Sequence, residues 1–309
     1  MIILILKIME SLIAMKRLLT LFLITAFVLC GCAQPVPPAD IATTTLPVWE
    51  FTSRLCDGTP LTVTRLVTEE VSCLHDYSLN VRQVKAAEAA QVIVISGAGL
   101  EEFMEDILHG KNTIDASVGI ELLIPEEHSH EHKEEHEHHD GHNHPQDPHI
   151  WLSPVNASIM AVNIFDGLAA QYPQYQTIFE DNLRLLQREL EALNHYGSDQ
   201  LETLSCRDLI TFHDGFSYLA QCFDLHILEA VEEESGSEAS AKELISLIEE
   251  VEHHGLPAIF TEKSGSISAA GIIARETGCR SFPLDMAMAG NSYFDAMYYN
   301  IDTLKEALG

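Results

Sequence analysis

Two runs of alternating strand and helix patterns, separated by one long helical segment, constrain this chain more than any other feature. On the N-terminal side "LTVTRLV" reads as a strand, "NVRQVKAAEAA" as a helix, "QVIVIS" as a buried strand and "GLEEFMEDILHG" as a helix closed by Gly110. "SPVNASIMAVNIFDGLAAQYP" reads as a further helix, with Ser153 or Asn156 as its cap. From Gln174 to Leu204 the residues Ile178, Leu183, Leu186, Leu190 and Leu193 keep close to helical spacing, while Glu and Arg fill the other face. Thirty residues of helix run about 45 Å, longer than one small domain needs, so this segment bridges two bodies. Beyond it "CRDLITF", "HILEAV", "PAIFTE" and "RSFPLD" are strands. "GFSYLAQCF", "SAKELISLIEEVEHHG", "SISAAGIIARETG" and "SYFDAMYYNIDTLKEALG" are helices. The fold class expected is α/β: two lobes with mostly parallel sheets flanked by helices, joined by one long helix. The boundaries are 46–173 for the N-terminal lobe, 174–204 for the linker helix and 205–309 for the C-terminal lobe.

The residues before 46 read as export and attachment rather than fold. Lys16 and Arg17 precede an apolar run, Leu18 to Leu29, shorter than the roughly 20 residues of a spanning helix. The run ends in Leu29, Cys30, Gly31 and Cys32, the pattern of a bacterial lipobox. Residues 1–31 are therefore expected to be a signal peptide, with Met15 as the start, and Cys32 to carry the lipid. The uncharged, Pro-rich 32–45 is expected to be a tether. That places the chain outside the cytoplasm, lipid-anchored to the bacterial cell membrane. The formal charge of −30, from 47 acidic against 17 basic residues, repels phosphate backbones, so nucleic acid is not an expected partner. Proximity in sequence suggests pairing Cys56 with Cys73 and Cys206 with Cys222. There is no CxxC, so any metal would be bound by nitrogen and oxygen.

Histidine is the unusual residue. Sixteen are present, and eight of them (His128, His130, His132, His136, His138, His139, His142 and His144) crowd the tract 126–144. Alternating His and Glu cannot pack a core, so this is a solvated insertion. Elsewhere His75 follows the first strand region, His213 follows "LITF", Asp285 ends "RSFPLD", and His149 stands in the Pro-bounded "DPHIWLSP". Three of the four sit at carboxyl ends of strands, where ligands gather in open α/β sheets. Taken singly, each is an ordinary polar residue, and Asp285 has the makings of a helix cap.

The stretches "CLHDYSLNVRQVKAAEAAQVIVISGAGLEEFM", "DPHIWLSPVNA", "LITFHDGFSYLAQCFDL", "SGSEASAKELISLIEE" and "ETGCRSFPLD" resemble, in order, the metal-specific solute-binding proteins of ABC importers, in particular the zinc-uptake receptors. The resemblance runs over roughly 46–309. It implies a rigid backbone helix between the lobes and a metal held between them by His75, His149, His213 and Asp285, with a water as the other option for the fourth place. It also implies that the histidine tract collects metal. Three imidazoles and one carboxylate suit Zn²⁺, whereas the manganese receptors typically have a carboxylate where His213 stands. Some zinc receptors carry an acidic ligand before the first histidine; here that residue is Leu74.

The function so implied is extracytoplasmic capture of Zn²⁺ and its delivery to an ABC permease and its ATPase, by a monomer that is not an enzyme. A receptor for manganese or another divalent metal is the nearer alternative, and a secreted zinc hydrolase the more distant one. "SGAGLEE" has Glu102 where a dinucleotide fingerprint needs its third glycine, and the histidine tract holds no HExxH.

Overall fold

The computed structural model describes residues 39–69, 74, 77–124, 146–231, 240–263, 265 and 267–309. The expected signal segment 1–31, Cys32, Cys73, His75 and the tract His128 to His144 lie outside these residues.

Among the described residues eight strands form two four-stranded parallel sheets. The first contains β1 (Ile41–Thr43), β2 (Val63–Arg65), β3 (Val92–Ile95) and β4 (Thr113–Asp115) in the order β2-β1-β3-β4. The second contains β5 (Asp208–Thr211), β6 (His226–Ala230), β7 (Ala258–Glu262) and β8 (Arg280–Leu284) in the order β6-β5-β7-β8. Helices α1 (Leu46–Leu55), α2 (Val81–Ala89), α3 (Glu105–Leu108) and α4 (Pro154–Gln171) belong with the first sheet. Helices α6 (Ser217–Cys222), α7 (Ala241–His254), α8 (Ser268–Thr277) and α9 (Tyr293–Leu308) belong with the second. Between them runs α5 (Gln176–Leu201). The expected two-lobe α/β architecture is what the chain adopts.

Local chemistry sets the ends of these elements. Asn80 and Gln83 form a reciprocal capping box on α2, and Ser240 and Glu243 form another on α7. Ser153, not Asn156, caps α4 by accepting the Asn156 N–H. Pro283 is tolerated in β8 because that strand lies at the edge of its sheet. The buried face of α5 is Phe179, Leu183, Leu186, Leu190, Leu193, Gly197 and Leu201. Phe179 takes the inward place given above to Ile178, so the stripe starts one residue later. Gly197 lets α5 close on its neighbours: a Cβ there would stand 2.3 Å from the Phe223 ring and 3.2 Å from Ile301 Cδ1.

Three expectations need correction. The segment 32–45 is not all tether, because β1 lies within it and is fully buried at the centre of its sheet. Three residues are too few to show a period, and the following "TTT" looks like a polar spacer. The helix read from "GLEEFMEDILHG" is a 3₁₀ turn, Glu102–Met104, followed by only four α-helical residues. Cys206 and Cys222 are free thiols, as is buried Cys56. The Cys206 Sγ faces the Asp208 carbonyl and the Cys222 Sγ faces Asn194 Oδ1, so the two are committed to different neighbours.

Each lobe has a small apolar cluster of its own, around Ile93 and Met104 in the first and around Ile210 and Ile259 in the second, but the main core is shared. One apolar cluster runs from Ile41, Val48 and Val94 through the face of α5 to Phe260, Leu284, Tyr293 and Ile301. Polar ties cross it: Trp151 Nε1 donates to the Met286 carbonyl at 2.8 Å, Tyr293 Oη donates to the Trp151 carbonyl at 2.8 Å, and the Leu46 N–H donates to the Met288 carbonyl at 3.2 Å.

Candidate metal centre

His149 enters through a short loop whose geometry Asp147 dictates. Asp147 Oδ1 accepts both the His149 backbone N–H and the ring Nδ1–H, each at 2.9 Å. An ionised carboxylate only accepts, so this pair places the ring proton on Nδ1 and leaves Nε2 as the nitrogen available to a metal. Both side chains are buried, and Asp147 Oδ2 is a buried oxygen with no hydrogen-bond partner among the described residues. The loop itself is tied down twice. The Asp147 N–H donates to the Leu123 carbonyl at 2.9 Å, while Tyr218 Oη accepts the Leu123 N–H at 2.9 Å and donates to the Asp147 carbonyl at 3.0 Å. Burial pushes the Tyr218 phenol up to about 12, so it stays a donor at any ordinary pH. Tyr218, on α6 of the second lobe, thus holds 123 and 147, the two described stems of the segment that contains the histidine tract.

His213 is the second residue after β5, and its ring lies 5.2 Å from that of His149 at 81°. Gly215 permits this approach: a Cβ there would stand 2.8 Å from His149 Nδ1 and 2.5 Å from Met286 Cε. Trp151 closes the other side, edge-on to His149 at 5.4 Å.

Asp285 directly follows β8 and is fixed by Asn300, a fully buried residue of α9. The Asn300 side chain accepts the Asp285 N–H and donates to the Asp285 carbonyl, both at 2.7 Å. Of the carboxylate oxygens, Oδ1 accepts the Ala287 N–H at 2.8 Å and Oδ2 pairs with Lys263 Nζ at 3.1 Å. Of the four expected ligands, then, His149 and His213 are side by side, Asp285 is engaged with Lys263, and His75 is outside the described residues. Among the described residues no group of three or more His, Cys, Asp or Glu side chains is close enough to hold a metal.

Sequence reasoning missed the supporting shell: Asp147, Tyr218, Asn300 and Lys263. It also missed Glu101, whose buried carboxylate gathers the carboxyl ends of β1 and β3. Oε1 accepts from Thr44 Oγ1 at 2.7 Å and from the Ser96 N–H at 2.8 Å, and Oε2 accepts the Gly97 N–H at 3.0 Å. Burial outweighs those three bonds and holds Glu101 at about 7.

Known proteins share both the sequence pattern and the fold. The zinc-binding lipoprotein AdcA of Streptococcus pneumoniae serotype 4 is 29% identical over 315 residues, covering 94% of this chain and 61% of its own length. The zinc-binding protein AdcA of Streptococcus pyogenes serotype M3 is 28% identical over 287 residues, covering 86% of this chain and 55% of its own length. The chain therefore spans somewhat more than half of these relatives. Among solved structures, a crystal structure of ZnuA superposes with a TM-score of 0.74 at 27% identity, over 88% of this chain and all (100%) of that one. The Zn(II)-bound ZnuA-like domain of Streptococcus pneumoniae AdcA superposes with a TM-score of 0.72 at 26% identity, over 87% of this chain and 98% of that domain. The profile of the family described as zinc-uptake complex component A, periplasmic, matches residues 41–307, and with that span the chain belongs to this family.

Proposed function

We propose that this chain captures Zn²⁺ outside the cytoplasm and hands it to an ABC permease, without catalysing a reaction of its own. The observation that carries the reading is the side-by-side pair of buried His149 and half-buried His213, with the His149 tautomer set by a buried carboxylate. Neutral imidazole nitrogens are ligands of choice for Zn²⁺, and a carboxylate behind the ring is the usual way of orienting one. His75 and Asp285 complete the set, and His128 to His144 form a weak accessory collector in front of it. The relatives' zinc-binding names and the Zn(II)-bound neighbour support the same cargo. The lipoprotein name of the pneumococcal relative supports an anchor, which we place at Cys32.

Titration of the metal-free chain with Zn²⁺ against a chromophoric chelator tests this. One tight phase is expected above a set of weak ones. His213→Ala should abolish the tight phase and leave the weak ones. A variant that retains the tight phase at full stoichiometry would refute the assignment, and a site that Mn²⁺ fills in preference to Zn²⁺ would refute the cargo.

A further inference from the structure

We infer that Lys263 is a built-in counter-cation: it holds the Asp285 carboxylate while no metal is present, and the incoming metal must displace it. The inference rests on Asp285 being a ligand. Strands β7 and β8 are parallel neighbours whose last paired residues are Glu262 and Leu284, so the next residue of each leaves the sheet beside the other. The Lys263 N–H donates to the Leu284 carbonyl at 2.8 Å, which fixes that exit. Nζ then reaches Asp285 Oδ2 at 3.1 Å. Because Oδ1 is taken by the Ala287 N–H, Oδ2 is the oxygen a metal would claim, and it is the one the ammonium covers.

Displacement is feasible because the lysine has another seat. Its side chain is 56% exposed against 21% for Asp285, and Nζ already lies 5.1 Å from the centre of the Tyr299 ring. The ammonium can leave Oδ2 without becoming a buried, unpaired charge. When the metal departs, the same ammonium returns and neutralises the carboxylate, so the empty site carries no bare anion at its rim. Lys263 therefore lowers the site's affinity, and by a modest factor, since an ion pair this exposed is weak.

The experiment compares Zn²⁺ affinity by chelator competition in the full chain and in K263M, K263R, D285N and the double variant K263M/D285N. Methionine keeps the apolar stem and removes the charge. K263M is expected to bind Zn²⁺ about two- to fivefold more tightly, K263R to match the parent, D285N to bind more weakly, and the double variant to match D285N. Metal-free K263M should melt below the parent, because Asp285 has lost its partner, while the zinc-loaded forms should melt alike. Weaker or unchanged binding in K263M, with D285N still impaired, would overturn the counter-cation while leaving the ligand set intact. Unchanged binding in D285N would overturn the ligand assignment and this inference with it.

Discussion

Asp147 determines which nitrogen of His149 stays free of a proton, and it does so with charge as well as geometry. Asp147→Asn keeps an oxygen able to accept both His149 protons, so the loop should stay in place while the ring loses basicity. Zn²⁺ affinity is expected to fall about 10- to 100-fold with little change in melting temperature, as competition titration and thermal unfolding would show. A variant with wild-type affinity would mean that Asp147 only shapes the loop. At this scale the sequence displays the proposed ligands better than their supports. His213 and Asp285 are legible because they stand beside strand ends, and His149 because it stands between prolines and an apolar turn. Asp147 is two residues from His149 and still reads as ordinary loop polarity. Asn300 and Glu101 read as surface residues of helices, because only the tertiary fold buries them.

For whole elements, α5 offers the clearest conflict between local and tertiary preference. Alanine is favoured over glycine within a helix by about 1 kcal/mol, yet the Cβ at 197 would press on the Phe223 ring, which is itself buried. Overpacking typically costs about 1–3 kcal/mol, so Gly197→Ala is expected to destabilise the chain in urea despite the better propensity. A stabilised variant would show that Phe223 gives way freely. The helices and most strands were legible because their apolar residues repeat over enough positions to reveal a period. β1 was not, since its position at the centre of the sheet comes from pairing with β2 and β3 rather than from its own three residues. The free thiols of Cys206 and Cys222 make the same point: nearness in sequence says nothing about which way two side chains face.

Across the whole molecule, Glu101 ties pH to stability. Its folded value of about 7 lies above the ~4.3 of an unfolded glutamate, so its contribution is fully present below pH ~4.3 and is lost as pH rises through about 7. Glu101→Gln sets an amide N–H against one of the three donors and should be less stable throughout. The gap between parent and variant, read from urea unfolding of the metal-free chains, is expected to be widest in acid and to narrow toward pH 7; a gap that widens instead would contradict this. The apolar cluster shared by both lobes has a further consequence, for how long an ion bound as proposed would stay. Pulling the lobes apart would expose core surface at roughly 25 cal/mol for each Å², and Trp151, Tyr293 and Leu46 would lose their bonds across the boundary. Opening such a joint would therefore be costly. Under the proposed receptor role, release of a bound ion would then be set by the proposed ligand side chains and a membrane partner rather than by the lobes coming apart.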